Sequence, residues 1–365
     1  MKSILIFCGI ICLTPTWGQL KSELNLPRAG DELVKEQVVF CEPGETGENQ
    51  IWDLTRIKLI DDAYIVHYFT RDDWKIIGSE KGKLTFLETN GDSLLTAGYE
   101  TPVDLVKYRQ QGLLLRFPIA YGAASKGQFE GRGKHHDRLE SVVSGKIQTT
   151  ADATGSIILP GNDTLESVTR IHIWKIEKAR HIPISSEFAF DHPADDSLFS
   201  AVEPEIITTD AYQWYEEGYR YPVFETIETY RSDSTEMIPL SKDAYFYHPA
   251  EQAYLPEDIA NQVVRERKHA AREARMREKE SNFLSFSCYP NPVSDHLEIE
   301  FTLRKAVSAV ISVADTHGRL YAHFPLKSRS DMYMQRLEMR TYPPGHYVIK
   351  VSAGNEAVSE TIMKK

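Results

Sequence analysis

The sequence predicts an all-β protein: an N-terminal β-sandwich region with room for two packed subdomains, a charged helical linker, and a C-terminal immunoglobulin-like β-sandwich. Three observations carry this reading. Short runs rich in Val, Ile, Thr, Tyr and Phe recur between turn clusters from about residue 33 to 248. One run of Ala, Arg, Glu, Lys and Gln, free of Gly and Pro, interrupts them at 257–280. Alternating apolar and polar residues then resume and continue to the C-terminus.

In the first block the strand-like runs are 33–41, 63–70, 84–88, 93–99, 112–117, 141–149, 168–176 and 223–230. Asn90-Gly91 between two of them predicts a type I′ hairpin, whose central positions both need positive φ. Pro160-Gly161 suits a type II turn, and Glu42-Pro43-Gly44-Glu45 is a third turn cluster. No amphipathic helix or βαβ alternation breaks the series, which is why two packed antiparallel sheets are expected. The helical run opens on Pro256-Glu257-Asp258, placing Pro at the first helical position and acids in the first turn, with Arg and Lys dominating later turns. Glu273 and Arg277 pair at i, i+4, and apolar positions are sparse (Ile259, Val263, Met276), so a solvated spacer is expected.

Charge divides the chain the same way. The whole sequence of 365 residues carries 53 acidic and 42 basic side chains, a net charge of -11. Residues 19–250 hold 24 basic and 38 acidic groups (-14), residues 251–282 hold 7 of each, and residues 283–365 hold 10 and 8 (+2). An acidic balance argues against a nucleic-acid partner. Residues 1–18 combine Lys2, an apolar stretch too short to span a bilayer, and small residues Thr16 and Gly18, the pattern of a secretory signal peptide. No later segment has eighteen consecutive apolar residues, so no transmembrane helix is expected in the mature chain. Loss of the signal leaves Cys41 and Cys288, and no Cys-x-x-Cys pair offers a metal site. The expected division is therefore 1–18 signal peptide, 19–250 β-rich cargo, 251–282 linker and 283–365 C-terminal domain.

That last domain shows the clearest alternation: Leu297, Ile299 and Phe301 share one face and Glu298 and Glu300 the other. Further strands are read at 307–314, 319–326, 335–339, 346–351 and 358–363. Tyr289-Pro290-Asn291-Pro292 leads into the first strand. Asp315-Thr316-His317-Gly318-Arg319 forms a middle turn, Pro344-Gly345-His346-Tyr347 precedes the last hairpin, and Lys364-Lys365 closes the chain. In this order these motifs closely resemble the C-terminal sorting domain of the type IX secretion system of Bacteroidetes. The resemblance covers under a quarter of the chain. It implies export to the periplasm, passage through the outer-membrane secretion machinery, and delivery to the cell surface or the medium. Its motif residues here are Tyr289, Pro290, Asn291, Pro292, Gly318, Gly345, Tyr347, Lys364 and Lys365. The N-terminal block more loosely resembles uncharacterised proteins carrying the same tail, and no activity comes with that likeness.

No cofactor, metal or catalytic residue is assigned. His135-His136-Asp137 reads as a loop, since adjacent histidines on an extended chain point apart, and His192-Pro193-Ala194-Asp195-Asp196 lacks calcium-loop spacing. The candidate ligand-binding residues are Tyr212, Trp214, Tyr215, Tyr219 and Tyr221. They sit with Tyr230, Glu216, Glu217 and Glu225 in an aromatic and carboxylate cluster such as glycan grooves use, although strand cores use the same residues. Ser93, Thr164, Ser197 and Ser234 follow Asp and are candidate O-glycosylation sites. The expected function is an exported, non-enzymatic surface protein that contacts an extracellular glycan or protein. The alternative is a secreted hydrolase acting on polysaccharide or peptide through carboxylates such as Glu216 and Glu225.

Overall fold

The computed structural model describes residues 19–365 apart from 62, 72–73, 162, 185–198, 233–235 and 330–331. It divides into two units between Glu266 and Arg267. The first holds β1 (Glu32–Val38), β2 (Gly47–Asp53), β3 (Tyr64–Arg71), β4 (Trp74–Glu80), β5 (Lys83–Asn90), β6 (Ser93–Glu100) and β7 (Asp104–Arg116). It continues with β8 (Ala124–His135), β9 (Leu139–Ile158), β10 (Thr164–Pro183), β11 (Glu205–Glu216), β12 (Phe224–Ser232) and β13 (Met237–Tyr247). Twelve of these strands hydrogen-bond in the order β10, β11, β12, β13, β1, β3, β4, β5, β6, β7, β8, β9, and β9 pairs back onto β10. The sheet is therefore a closed barrel, with β2 added outside it, parallel to the end of β9.

This corrects the expected sandwich. Alternating residues look the same whether a sheet packs on a second sheet or closes on itself, so the pattern does not choose. The choice is made by β9 and β10, whose 20 residues each extend well beyond the runs 141–149 and 168–176. Their ladder from Thr164↔Ile158 to Pro183↔Leu139 leaves no free edge. The Asn90-Gly91 hairpin is present but shifted by one residue. Asn90 pairs with Ser93, so Gly91 and Asp92 form the loop, with positive φ at Gly91 (56°), as a type II′ turn requires.

Contacts between strands that are not neighbours mark the inner face. Ile76, Leu87, Leu115, Ala151, Ile171 and Tyr215 come from six different strands and pack as one cluster. Tyr99 of β6 and Tyr108 of β7 reach Glu177 of β10 (3.1 and 3.3 Å). The base of the barrel is closed by the segment around α1 (Ser22–Asn25) and by α2 (Pro249–Gln252). There Arg220 pairs with Asp258 (2.6 Å) and donates to the carbonyls of Leu26 and Glu23, while Tyr221 stacks on Tyr68 and donates to Asp31.

Outside, the chain between β1 and β3 lies across the barrel as a strap anchored on Arg170, which is 0% exposed. Its Nε and Nη2 bind Asp152 (both 2.9 Å), and its remaining N–H groups donate to the carbonyls of Pro43, Gly44 and Glu45. Its guanidinium lies 5.0 Å from the Tyr212 ring and 5.8 Å from Trp52 and Trp214. A Cβ on Gly155 would stand 1.9 Å from the Gln50 carbonyl oxygen, so only glycine admits β2 at this distance.

The helical run forms α3 (Ile259–Glu280). It starts three residues later than Pro256 predicts, because Glu257 takes a left-handed φ of 55° that cannot continue into a helix, and the Asp258 carboxylate is held by Arg220 and Asn261. Asn261 is fully buried and donates to the Leu24 carbonyl, whereas Ile259 and Val263 face solvent.

The second unit carries β14 (Phe283–Tyr289), β15 (His296–Leu303), β16 (Val307–Asp315), β17 (Leu320–Arg329), β18 (Met332–Glu338), β19 (Gly345–Ala353) and β20 (Glu356–Lys364). They form a sheet β14-β15-β18 and a sheet β17-β16-β19-β20. Both sheets feed one core containing Leu297, Ile299, Phe301, Ile311, Val313, Ile349, Val351 and Ile362. Asn291 fastens the terminal strand by donating to Thr361 and accepting from the Met363 amide, and Val293 bridges to the same strand. Tyr347 is buried against Tyr321 and Tyr342. Cys41 and Cys288 are free thiols, and burial with Glu360 pushes Cys288 up to about 12.

Removing Arg170 would strand a nearly buried carboxylate and take a donor from three carbonyls, of which Pro43 keeps the Trp52 indole N–H. Arg170→Ala is expected to cost about 3–5 kcal/mol, read as a lower urea midpoint by tryptophan fluorescence of the mature chain. An unchanged midpoint would refute this role.

Candidate functional site on the outer face of the barrel

Residues paired across neighbouring strands share a face, so the ladder registers reconstruct the outer surface of β7 to β10 row by row. Lys107 lies opposite Arg132, Arg132 opposite Val142, and Val142 opposite Arg180. The next row runs Gln110, Glu130, Ser144, Lys178, then Gln128, Lys146, Ile176, then Lys126, Gln148, Trp174. A further row holds Thr150, His172 and Tyr212. Intervening residues of β9 and β10, such as Val143, Ile147 and Ile171, are buried on the lumen side. On that lumen side a Cβ on Gly145 would meet Phe129 at 2.3 Å and the Ile176 carbonyl at 2.2 Å, so glycine there makes room for the Phe129 ring.

Two clefts adjoin along these rows. One, of about 650 Å³, is lined by Gln110, Lys126, Gln128, Lys146, Gln148 and Trp174. The other, of about 550 Å³, lies under Lys107, Arg109, Glu130, Arg132, Ser144 and Arg180, with Phe199 at its rim. His172 stacks on Tyr212 (4.3 Å, 2° between planes) and contacts Asp210 at 2.6 Å, extending the aromatic end beside Trp174. An aromatic face, primary amides and cations along a shallow groove can hold a chain of hydroxylated rings by stacking and hydrogen bonds.

The lumen is chemically different, because most of its charges are paired; Lys83 lies there 5.6 Å from the Tyr99 ring, and burial with the nearby Lys175 charge lowers its pKa. Lys35 bridges Glu80 (2.7 Å) and Glu225 (3.1 Å), and Glu225 also accepts from Gln213 and Tyr247. Lys175 pairs with Glu177 at 2.7 Å. Burial pushes the Glu225 carboxyl up, but Lys35 and the donated hydrogen bonds more than reverse this and hold it below the usual range. Burial likewise opposes the Lys35 charge, and its two carboxylates outweigh it and raise the ammonium pKa.

The aromatic residues singled out in the sequence do not form one groove. Tyr212 is half-buried on the outer face, and Trp214 is buried beneath the strap, edge-on to Trp52 at 5.9 Å. Tyr215 points into the lumen with Gln213, Tyr219 lies 5.7 Å from Arg265, and Tyr221 is buried at the base. Glu216 shares the face of Trp214 and accepts from the Ser167 amide, whereas Glu225 faces Gln213 in the lumen. These two carboxylates therefore stand on opposite faces of the sheet and cannot flank one glycosidic bond. His135 contacts Asp104 at 2.7 Å, and His136 takes a left-handed φ of 51°. Among the described residues no cluster of three or more His, Cys, Asp or Glu is placed to hold a metal. Ser93 and Thr164 are half-buried first residues of β6 and β10. Ser197, Ser234, the 192–196 turn and residues 1–18 lie outside the described residues.

Trp174, Lys146, Gln148 and Lys178 escaped the sequence reading. A local signal existed: residues 104–146 carry 8 basic and 4 acidic side chains inside a block of net -14.

Residues 287–365 match the family of secretion system C-terminal sorting domains, so the second unit carries a type IX sorting tail. The chain is thus routed to the cell surface or the extracellular space. No curated protein matches the chain. Among the described residues no helix is long and apolar enough to cross a membrane.

The Lys35–Glu225 pair makes stability depend on pH. A carboxylate with a lowered folded pKa contributes fully above its unfolded value of about 4.3 and loses that contribution as pH falls through the folded value. Glu225→Gln should cost about 2–3 kcal/mol at pH 7 and flatten the decline of the urea midpoint on the acid side of about pH 4.3. Curves for variant and wild type that stay parallel through that range would exclude it.

Proposed function

We propose that this chain is an exported glycan-binding protein: a β-barrel delivered by its sorting tail that holds an extracellular polysaccharide on the outer face of β7 to β10. The observation that carries the reading is the pair of adjoining clefts with Trp174 at one end and Gln110, Gln128 and Gln148 along the floor. Trp174 supplies an apolar face for a sugar ring, and the amides supply both donors and acceptors for hydroxyl groups. In this reading residues 1–18 are the signal peptide, 19–250 the cargo, 251–282 a solvated spacer, and 283–365 an immunoglobulin-like tail engaging the outer-membrane secretion machinery. Of the aromatic residues singled out in the sequence, Tyr212 takes part, since its row adjoins that of Trp174; Trp214, Tyr215, Tyr219 and Tyr221 support the barrel that presents the groove. The opposite placement of Glu216 and Glu225 speaks against a hydrolase built on that pair.

Two experiments test this. On a glycan array the mature chain should bind a defined subset, and Trp174→Ala combined with Gln148→Ala should weaken that signal about tenfold. Uniform binding to all glycans, or a signal indifferent to both substitutions, would end the reading. Deleting residues 287–365 should hold the protein in the periplasm, as seen by cell fractionation, and undiminished surface delivery would contradict the routing.

A further inference from the structure

We infer that the polysaccharide bound on this face is acidic, bearing carboxylate or sulfate groups; the inference rests on the glycan reading above. The rows across β7 to β10 gather 8 basic side chains (Lys107, Arg109, Lys126, Arg132, Lys134, Lys146, Lys178 and Arg180) against 2 acidic ones, Glu130 and Glu140. The block that contains this face has a net charge of -14, so the cations are concentrated here: residues 104–146 supply six of them, and the register adds Lys178 and Arg180.

Half of them are lysines left without a charge partner among the described residues, although Lys107 lies 5.9 Å from the Trp74 ring, and Arg180 donates to the Val202 carbonyl. Lys107, Lys126, Lys146 and Lys178 are exposed and have no ion-pair or hydrogen-bond partner among the described residues. Arg109 lies 3.8 Å from Glu130 while remaining 83% exposed, a weak surface pair. Glu140 is committed to Arg132 at 2.8 Å. Lys107 stands directly opposite Arg132, whose own charge Glu140 already pairs, so the Lys107 ammonium has no carboxylate of its own among the described residues.

The spacing fits a polymer better than a small anion. From Lys126 to Arg132 along β8 is about 20 Å at roughly 3.3 Å per residue, and Gln128, Gln148 and Trp174 are interleaved with the cations over this length. A nucleic acid would ask for several stacking aromatics and a much denser cation track, since duplex DNA carries one charge per about 1.7 Å. The acidic remainder of the barrel would repel so dense a chain, whereas one acid per sugar or two is served by separated lysines.

The mature full-length chain is to be titrated with polygalacturonate and chondroitin sulfate. Their carboxyl-reduced and desulfated forms, and single-stranded DNA, serve as the other arms. Tight binding of at least one acidic polymer is expected, with about tenfold weaker binding to its neutralised form and about tenfold weakening as salt rises from about 0.05 to 0.3 M. Lys146→Glu with Lys178→Glu should weaken binding about tenfold, and Lys146→Gln with Lys178→Gln less, with unchanged melting temperature in each. Equal binding of charged and neutralised forms, without salt dependence, overturns the acidic assignment and leaves the glycan reading intact. Binding to no polysaccharide overturns both. Tighter binding to DNA than to either acidic polymer overturns the assignment in favour of a nucleic acid.

Discussion

Closure of the sheet through the β9–β10 ladder is the constraint on which the rest of the barrel depends. Two 20-residue strands hydrogen-bonded along their length turn an open sheet into a ring and remove both edges. Once the ring is closed, every strand has one side committed to the lumen and one to the outside. Along β10 this separates Ile171, Ile173, Lys175 and Glu177 from His172, Trp174, Ile176, Lys178 and Arg180. The candidate groove is the outer half of that alternation, continued through β7, β8 and β9.

A ring of twelve strands leaves more interior than aliphatic side chains fill, and the chain completes it with polar groups whose partners are supplied. Lys35 has two carboxylates, Glu177 has Lys175 and two tyrosine hydroxyls, and Arg220 has Asp258 and two carbonyls. Buried charges persist only with such compensation. Arg170 is the same solution on the outside, where one guanidinium gathers the strap, Asp152 and three aromatic rings. The lumen is therefore a stabilising network with most of its charges matched, and the outer face of β7 to β10 carries Lys107, Lys126, Lys146 and Lys178, exposed and without an ion-pair partner among the described residues.

How far the sequence disclosed this follows from the range of each interaction. Local features were legible: the hairpin after β5, the alternation of Leu297, Ile299 and Phe301, the positive φ at Gly318 and Gly345, and a helix ending the first unit. The helix start was misread because Glu257 and Asp258 answer to Arg220 and Asn261 and not to their own sequence neighbours. Sandwich and barrel share one alternation pattern, so closure was not legible in any single strand. Tyr212, Trp214, Tyr215, Tyr219 and Tyr221 are close in sequence, but strand alternation and the β11–β12 connection distribute them over the outer face, the lumen and the base. The groove was hidden for the complementary reason: Lys107, Arg132 and Arg180 are far apart in sequence and become neighbours only through register.

Net charge shows the same effect in its simplest form. A sum over the chain carries no information about position, and the -14 of residues 19–250 does not show where basic groups gather. The acids of this block that face inward, among them Glu80, Glu177 and Glu225, are neutralised by Lys35 and Lys175 and contribute little to the field outside. Lys126, Lys146 and Lys178, exposed on β8, β9 and β10, have no ion-pair partner among the described residues. Burial thus removes charges of both signs together, and the strand register gathers exposed cations of β7 to β10 on a single wall, which gives an acidic protein a basic face. A protein exported to the cell exterior by its tail therefore presents there a wall opposite in sign to its net charge.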